Sequence, residues 1–280
     1  MTRPSRPARG LALLAVLWVV AALSLLVHSL VSTVRAEIGI SQQYRDELQA
    51  QARGDAFILL ALQTLHHSGQ RSWGQPQNLT VNWEGQTIAV ELRPANGWIN
   101  PNNAPAPLLA ELLQHLGELP PAQATELAER MVSTRQASTG AVSSRFDNAA
   151  DLMRVPGLSV ETFAKIQPAI AVAASDSAGK INPLAAPREV LHVLTQGHAD
   201  RTAALLQAQQ RQMVEPSSLT TVDTSFINPA LIEQRDSSAL RLAVRQGAYL
   251  RIWWVQWGTG PGPLPWRVLE QQTLGVQAPQ

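Results

Sequence analysis

Residues 97–112 read GWINPNNAPAPLLAEL, and residues 179–194 read GKINPLAAPREVLHVL. Gly97/Gly179, Ile99/Ile181, Asn100/Asn182, Pro101/Pro183, Ala104/Ala186 and Pro105/Pro187 fall in register. Leu108/Val190, Leu109/Leu191 and Leu112/Leu194 follow. In each copy the Ile suits a short extended piece, and the Asn side chain can bond nearby backbone N–H groups and turn the chain. Pro105 and Pro187 suit the first turn of a helix, where no N–H is needed. The Leu and Val positions form that helix's buried face. Two copies are too few for a solenoid. The spacing predicts two equivalent strand-to-helix turns, at Asn100 and Asn182.

The chain between the copies reads as helical. Leu108 to Leu116 and Ala122 to Met131 are helix candidates around Gly117 and Pro120-Pro121. Phe146 to Arg154, then Val155-Pro156-Gly157, then Phe163, Ile166 and Ile170 resemble a helix-hairpin-helix. Such a turn can hold nucleic-acid phosphate on its N–H groups, helped by Lys or Arg. Only Arg154 and Lys165 are near, and the net charge is +1. Packing of two helices is the favoured reading and DNA contact the alternative. Residues 201–215, rich in Gln and Ala, also read as helix.

Strand patterns lie on both sides of this helical region. In LTVNWEGQTIAVELR (79–93), Leu79, Val81 and Trp83 alternate, as do Ile88, Val90 and Leu92, around Glu84-Gly85-Gln86. That is a hairpin signal. Leu240 to Val244, Tyr249 to Trp257 and Trp266 to Leu274 read as further strands. Trp253, Trp254, Trp257 and Trp266 suit core and sheet cover.

At the other end, Arg9-Gly10 leads into LALLAVLWVVAALSLLVHSLVSTV (11–34) and then Arg35. About 20 apolar residues, as one helix, span a bilayer core. Arg3, Arg6 and Arg9 precede the stretch without an acid, a bias that keeps the N-terminus cytoplasmic. An uncleaved anchor is one reading. A signal peptide cut after Val34-Arg35-Ala36 is another, although the apolar part exceeds the usual signal core of about 7–15 residues. A basic leader ending at Gly10, with the helix retained, is the third. Helical spacing continues through Ile38, Ile40, Tyr44, Leu48, Phe57, Leu60, Ala61 and Leu65, weakened locally at Gly39 and Gly54. His66-His67 followed by Ser68-Gly69 reads as its end, with Gly as C-cap.

Composition narrows the chemistry. The 280 residues are 45% hydrophobic and 15% charged, with 19 Pro, 17 Gly and no Cys. Packing alone must hold the fold, and thiolate metal sites and Cys catalysis are excluded. No phosphate loop, nucleophile elbow, zinc-protease motif or EF-hand spacing occurs. His115, His192 and His198 are scattered, and Asp147, Asp151 and Asp176 are isolated. No catalytic constellation is present, so an enzyme is not expected.

Taken together, Arg9-Gly10-Leu11-Ala12-Leu13-Leu14, the two Asn turns and their order resemble the K-type minor pseudopilins (GspK family) of type II secretion, over residues from about 9 to about 200. Gly10 and Leu11 resemble the prepilin-peptidase site, and Ala15 stands where most pilins carry Glu, as in the K-type subunit. The resemblance implies an α+β, pilin-like fold: a long N-terminal helix packed on an antiparallel sheet, with a large inserted all-α domain. It implies a leader over 1–10, a transmembrane half-helix over 11–34, and the soluble helix half with the first strands over 35–100. The inserted helical domain would cover 101–200, and the return to the sheet 201–280. It further implies no enzyme but a tip component of a periplasmic pseudopilus, methylated on Leu11 and anchored once in the inner membrane with its soluble part in the periplasm. The implied partners are the I- and J-type minor pseudopilins and prepilin peptidase, with no nucleic acid. Family members can hold calcium on clustered acids. The corresponding stretch here reads Glu129 to Arg135 without such a cluster, and no metal ligands are assigned.

Overall fold

The computed structural model describes residues 9–137, 145–172, 179–214, 224–258 and 264–276. Within its helices, the side chains of 9–15, 26, 27, 29–41 and 212–214 are not described. The chain divides into two compact units, 1–52 and 53–280. The first is, among the described residues, the N-terminal part of helix α1 (Arg9–Ser68). Its side chains from Val16 to Val20, with Leu23 and Leu25, are exposed, and so are Tyr44 and Leu48, which the sequence spacing had grouped with the core-facing positions.

The second unit is α+β. Its five-stranded antiparallel sheet runs in simple sequence order, with β1 (Gln77–Trp83), β2 (Gln86–Pro94), β3 (Ala239–Gln246), β4 (Tyr249–Trp257) and β5 (Trp266–Gly275). The first hairpin closes on Glu84 and Gly85, with φ of 48° and 75°. Two consecutive positive φ values match the right-handed strand twist, and Gly supplies the second without a Cβ clash. All the remaining helices sit between β2 and β3: α2 (Ala106–His115), α3 (Pro121–Gln136), α4 (Val160–Ile166), α5 (Arg188–Leu194) and α6 (Ala199–Val214).

Two main cores result. One lies between the end of α1 and the sheet, where Phe57, Ile58, Ala61, Leu62 and Leu65 recur at helical spacing against Val90, Leu92, Leu242 and Val255. Trp73, Trp257 and Trp266 extend it, with Trp73 edge-on to Trp257 at 5.4 Å between ring centroids. The other is the helical layer, centred on Leu108, Leu109, Leu112, Leu113, Val190, Leu191 and Leu194. A smaller cluster of Ala95, Trp98, Ala171, Ile252 and Trp254 covers the second face of the sheet. The four tryptophans expected to cover the sheet are all buried.

One polar network ties α1 to the sheet. Arg251 is 4% exposed. It donates through Nε and Nη2 to the two oxygens of Asp55, at 2.5 and 3.2 Å, and onward to Gln271 and Thr273 on β5. The indole of Trp253 donates to the same carboxylate at 2.8 Å. This contact explains Gly54, which sequence reading took only as a weak helix position. A Cβ there would lie 2.7 Å from Arg251 Cβ, so the residue before Asp55 must be Gly for the helix to approach β4.

Removing one member of a buried ion pair leaves an uncompensated charge. Asp55→Ala is expected to lower the stability of the full chain by about 2 kcal/mol, below the usual cost of breaking a fully buried pair because the Asp55 side chain is 28% exposed and Arg251 keeps Gln271 and Thr273 as partners. Replacing both partners by apolar residues (Asp55→Leu with Arg251→Met) is expected to recover only part of the loss, because the Trp253 indole N–H then lacks its acceptor. Urea titration followed by tryptophan fluorescence measures both.

Candidate functional site

The two Asn turns fold alike. Ile99 and Ile181 each form an isolated parallel bridge, to Ile170 and Ile232. Asn100 Oδ1 accepts from the N–H of Asn102 at 2.9 Å, and Asn182 Oδ1 from that of Leu184 at 3.0 Å. Both Asn residues are buried, and each turns the chain through its own side chain, as the repeat predicts. Pro105 and Pro187 sit at the N-caps of α2 and α5, one residue ahead of the expected first turn. An extended ψ at each Pro suits that half-in position.

Two relations between the turns were not legible in the repeat. First, they abut reciprocally. A Cβ on Gly97 of the first turn would meet the carbonyl oxygen of Ala185 in the second at 2.3 Å. A Cβ on Gly179 of the second would meet the carbonyl oxygen of Asn103 in the first, also at 2.3 Å. Gly179 has a φ of +79° besides. The N–H of Asn182 donates to the carbonyl of Asn96 at 2.9 Å. Second, one side chain grips each turn from a later helix. Arg135 donates to the carbonyls of Pro101 and Ala104 at 2.6 and 2.7 Å. Gln209 donates to Pro183 and Ala186 at 2.7 and 2.9 Å. These carbonyls occupy matched positions in the repeat. Burial, and then the charge of Arg145, pull Arg135 below its ordinary value.

Asn96, which sequence reading passed over, completes the junction. Its Nδ2 donates to the carbonyl of Arg235 at 2.7 Å, and Asn182 Nδ2 donates to Gly74 at 2.7 Å. In the sequence only an Asn directly before Gly97 marks the place.

The helix-hairpin-helix expectation is corrected in its first limb. Residues Ala149–Arg154 form a 3-10 turn rather than an α-helix, and α4 is short. A capping box closes the 3-10 turn: Asn148 accepts from the Asp151 N–H, and Asp151 Oδ2 accepts from the N–H groups of Asp147 and Asn148. The bond from Asp147 is the main reason that the Asp151 carboxyl is held below its ordinary value. Both cations that DNA binding would use are engaged within the chain. Lys165 lies 2.7 Å from Glu118 and 3.0 Å from Glu161, contacts that hold it above its ordinary value. Arg154 lies 3.6 Å from Asp151 and covers the Phe146 ring.

Among the described residues no three His, Asp or Glu side chains converge as a metal site. Asp176 lies outside the described residues. Of the remaining sequence expectations, residues 1–8 of the leader also lie outside them; the backbone of Gly10, Leu11 and Ala15 is helical, and the side chains of Leu11 and Ala15 are not described. Among the described residues no helix is long and apolar enough to cross a membrane. The stretch 11–34 has side chains described only at 16–25 and 28.

No family model matches the chain, and no curated protein matches it. Among solved structures, a chain from the GspK-GspI-GspJ complex of the type 2 secretion system of enterotoxigenic Escherichia coli is similar at 17% identity. The likeness has a TM-score of 0.47 and covers 86% of this chain and 100% of that one.

Two outcomes test the site. Gln209→Leu leaves two buried carbonyls without their side-chain donor and is expected to cost about 1–3 kcal/mol, and Arg135→Gln, whose amide ends about two bonds short of the Nη1 that makes both contacts, to cost a similar amount; urea titration reads both. Because the folded pKa of Asp151 is lowered, its contribution is full above the ordinary carboxyl range and is lost as pH falls through the lowered value. Between ~pH 5 and ~pH 3 the wild-type chain should lose more stability than Asp151→Asn does.

Proposed function

We propose that this chain is a K-type minor pseudopilin, a structural subunit of a type II secretion pseudopilus. The observation that carries the reading is the helical layer inserted between β2 and β3, which the chain enters through one Asn turn and whose α5 it begins through a matched second one. The sheet itself packs on the end of a long N-terminal helix. The exposed apolar side chains Val16 to Val20, Leu23 and Leu25 support a bilayer setting for that helix, since exposed apolar runs mark membrane or protein contact surfaces.

In this reading prepilin peptidase cuts after Gly10, Leu11 becomes the methylated first residue, and residues 11–34 cross the inner membrane. Residues beyond 35 stand in the periplasm, beside the I- and J-type subunits. Ala15 then has a physical sense. A Glu at that position neutralises the terminal amine of a neighbouring subunit inside an apolar bundle, where an unpaired charge is costly. A subunit at the tip has no subunit above it to serve, so Ala suffices. The bulky helical layer would block further addition and cap the filament.

The mature N-terminus decides the matter. Mass spectrometry of the chain from membranes with active prepilin peptidase is expected to find methylated Leu11, and Gly10→Ala to leave the leader attached. A start at Glu37, or an unprocessed Met1, would overturn the reading. In a secretion assay, Ala15→Glu is expected to reduce export while leaving processing intact.

A further inference from the structure

We propose that the open edge of β5 is a docking line for an extended segment of another polypeptide, which adds to the sheet as a strand. β5 ends the strand order and bonds to β4 on one side. Its other row of N–H and C=O groups meets no strand among the described residues. Only a second backbone in extended form satisfies such a row along its length.

The edge is only lightly protected, by one register shift opposite Trp254 and Val255. Proteins guard exposed edges with Lys, Pro, bulges or short strands. β5 runs from Trp266 to Gly275 with neither Lys nor Pro, and its one register shift lies near its start, opposite Trp254 and Val255. From Glu270 to Gly275 it is regular.

The edge is also continuous with a cleft of about 580 Å³ between the sheet and the helical layer. Ile252 and Trp254 form part of its floor and Leu206 part of its helical wall, while Glu270, Gln272 and Leu274 line it from β5. Pairing with β4 puts these three β5 side chains on the cleft face, opposite Trp254, Ile252 and Leu250. A strand added outside β5 would therefore lay alternate side chains along the cleft. Among the described residues Glu270 meets no cation and only accepts from Gln272, and Leu274 is 46% exposed. Cross-strand complementarity then asks for a Lys or Arg opposite Glu270 and an apolar residue opposite Leu274. The partner is an extended segment with alternating basic and apolar side chains on one face.

Strand addition does not depend on pilus membership, and processing at Gly10 has no bearing on it. The test uses the full chain in detergent micelles and amide hydrogen exchange. The probe is a short blocked peptide alternating Thr and Val with one central Lys; its control is the same peptide N-methylated at alternate residues, which keeps the side chains and removes the pairing. At peptide ten times its Kd, exchange across 266–275 is expected to slow roughly tenfold, and the methylated control to do nothing. Glu270→Lys is expected to weaken the Lys peptide roughly threefold, and a Glu-for-Lys peptide to regain the difference. No slowing at β5, equal slowing by the methylated control, or equal slowing at β1 would overturn the proposal. So would slowing that appears with protein concentration alone, which would make a second copy of this chain the occupant.

Discussion

A chain that leaves a sheet to build a second layer must take its backbone through the interior twice, and each buried N–H and C=O on the way needs a partner. That constraint shapes this protein. The exit after β2 and the second turn solve it with the same device. An Asn side chain substitutes for backbone, a Pro ends the turn without leaving a donor, and a long polar side chain from a later helix collects two carbonyls. Arg135 does this at the first turn and Gln209 at the second. The chemistry differs, but both supply N–H donors at the reach required.

Close backbone approach is the second shared feature. Gly97 and Gly179 each face a carbonyl of the opposite turn with no room for a methyl group. Gly54 plays the same part where α1 meets Arg251. In all three places a missing side chain lets polar backbone or a charged side chain come within bonding distance of its partner. The helical layer and the sheet are thus joined by directional contacts that fix one register, with apolar burial supplying the bulk of the driving force.

Local signals in the sequence carried most of the elements. The alternation in 79–93 gave the hairpin, and the repeat gave both Asn turns and the helices that follow. The β4 pattern and its tryptophans gave the densest part of the sheet. What could not be read locally were contacts made at a distance. Nothing near Arg135 or Gln209 marks them as donors to turns that lie far earlier in the chain. Gly54 looked like a helix defect because its neighbour, Arg251, lies at the far end of the sequence. Tyr44 and Leu48 fit a core-facing period yet are exposed, since a period says which face a residue shares and not whether anything covers it. The first limb of the Val-Pro-Gly segment failed as an α-helix because Asn148 and Asp151 cap each other within one turn, which favours a tight 3-10 geometry.

The clasp of Asn96, Asn182 and Arg235 bears on how the chain finds its fold. β2 and β3 pair across an insertion of roughly 140 residues, and closing so long a loop is entropically unfavourable before any strand contact forms. The helical layer depends mainly on contacts within itself and can assemble first. Once it does, Asn96 and Arg235 are bonded to each other, with only a few residues on either side leading into β2 and β3. The strands then meet as though joined by a short loop, and a non-local sheet acquires the closure entropy of a hairpin.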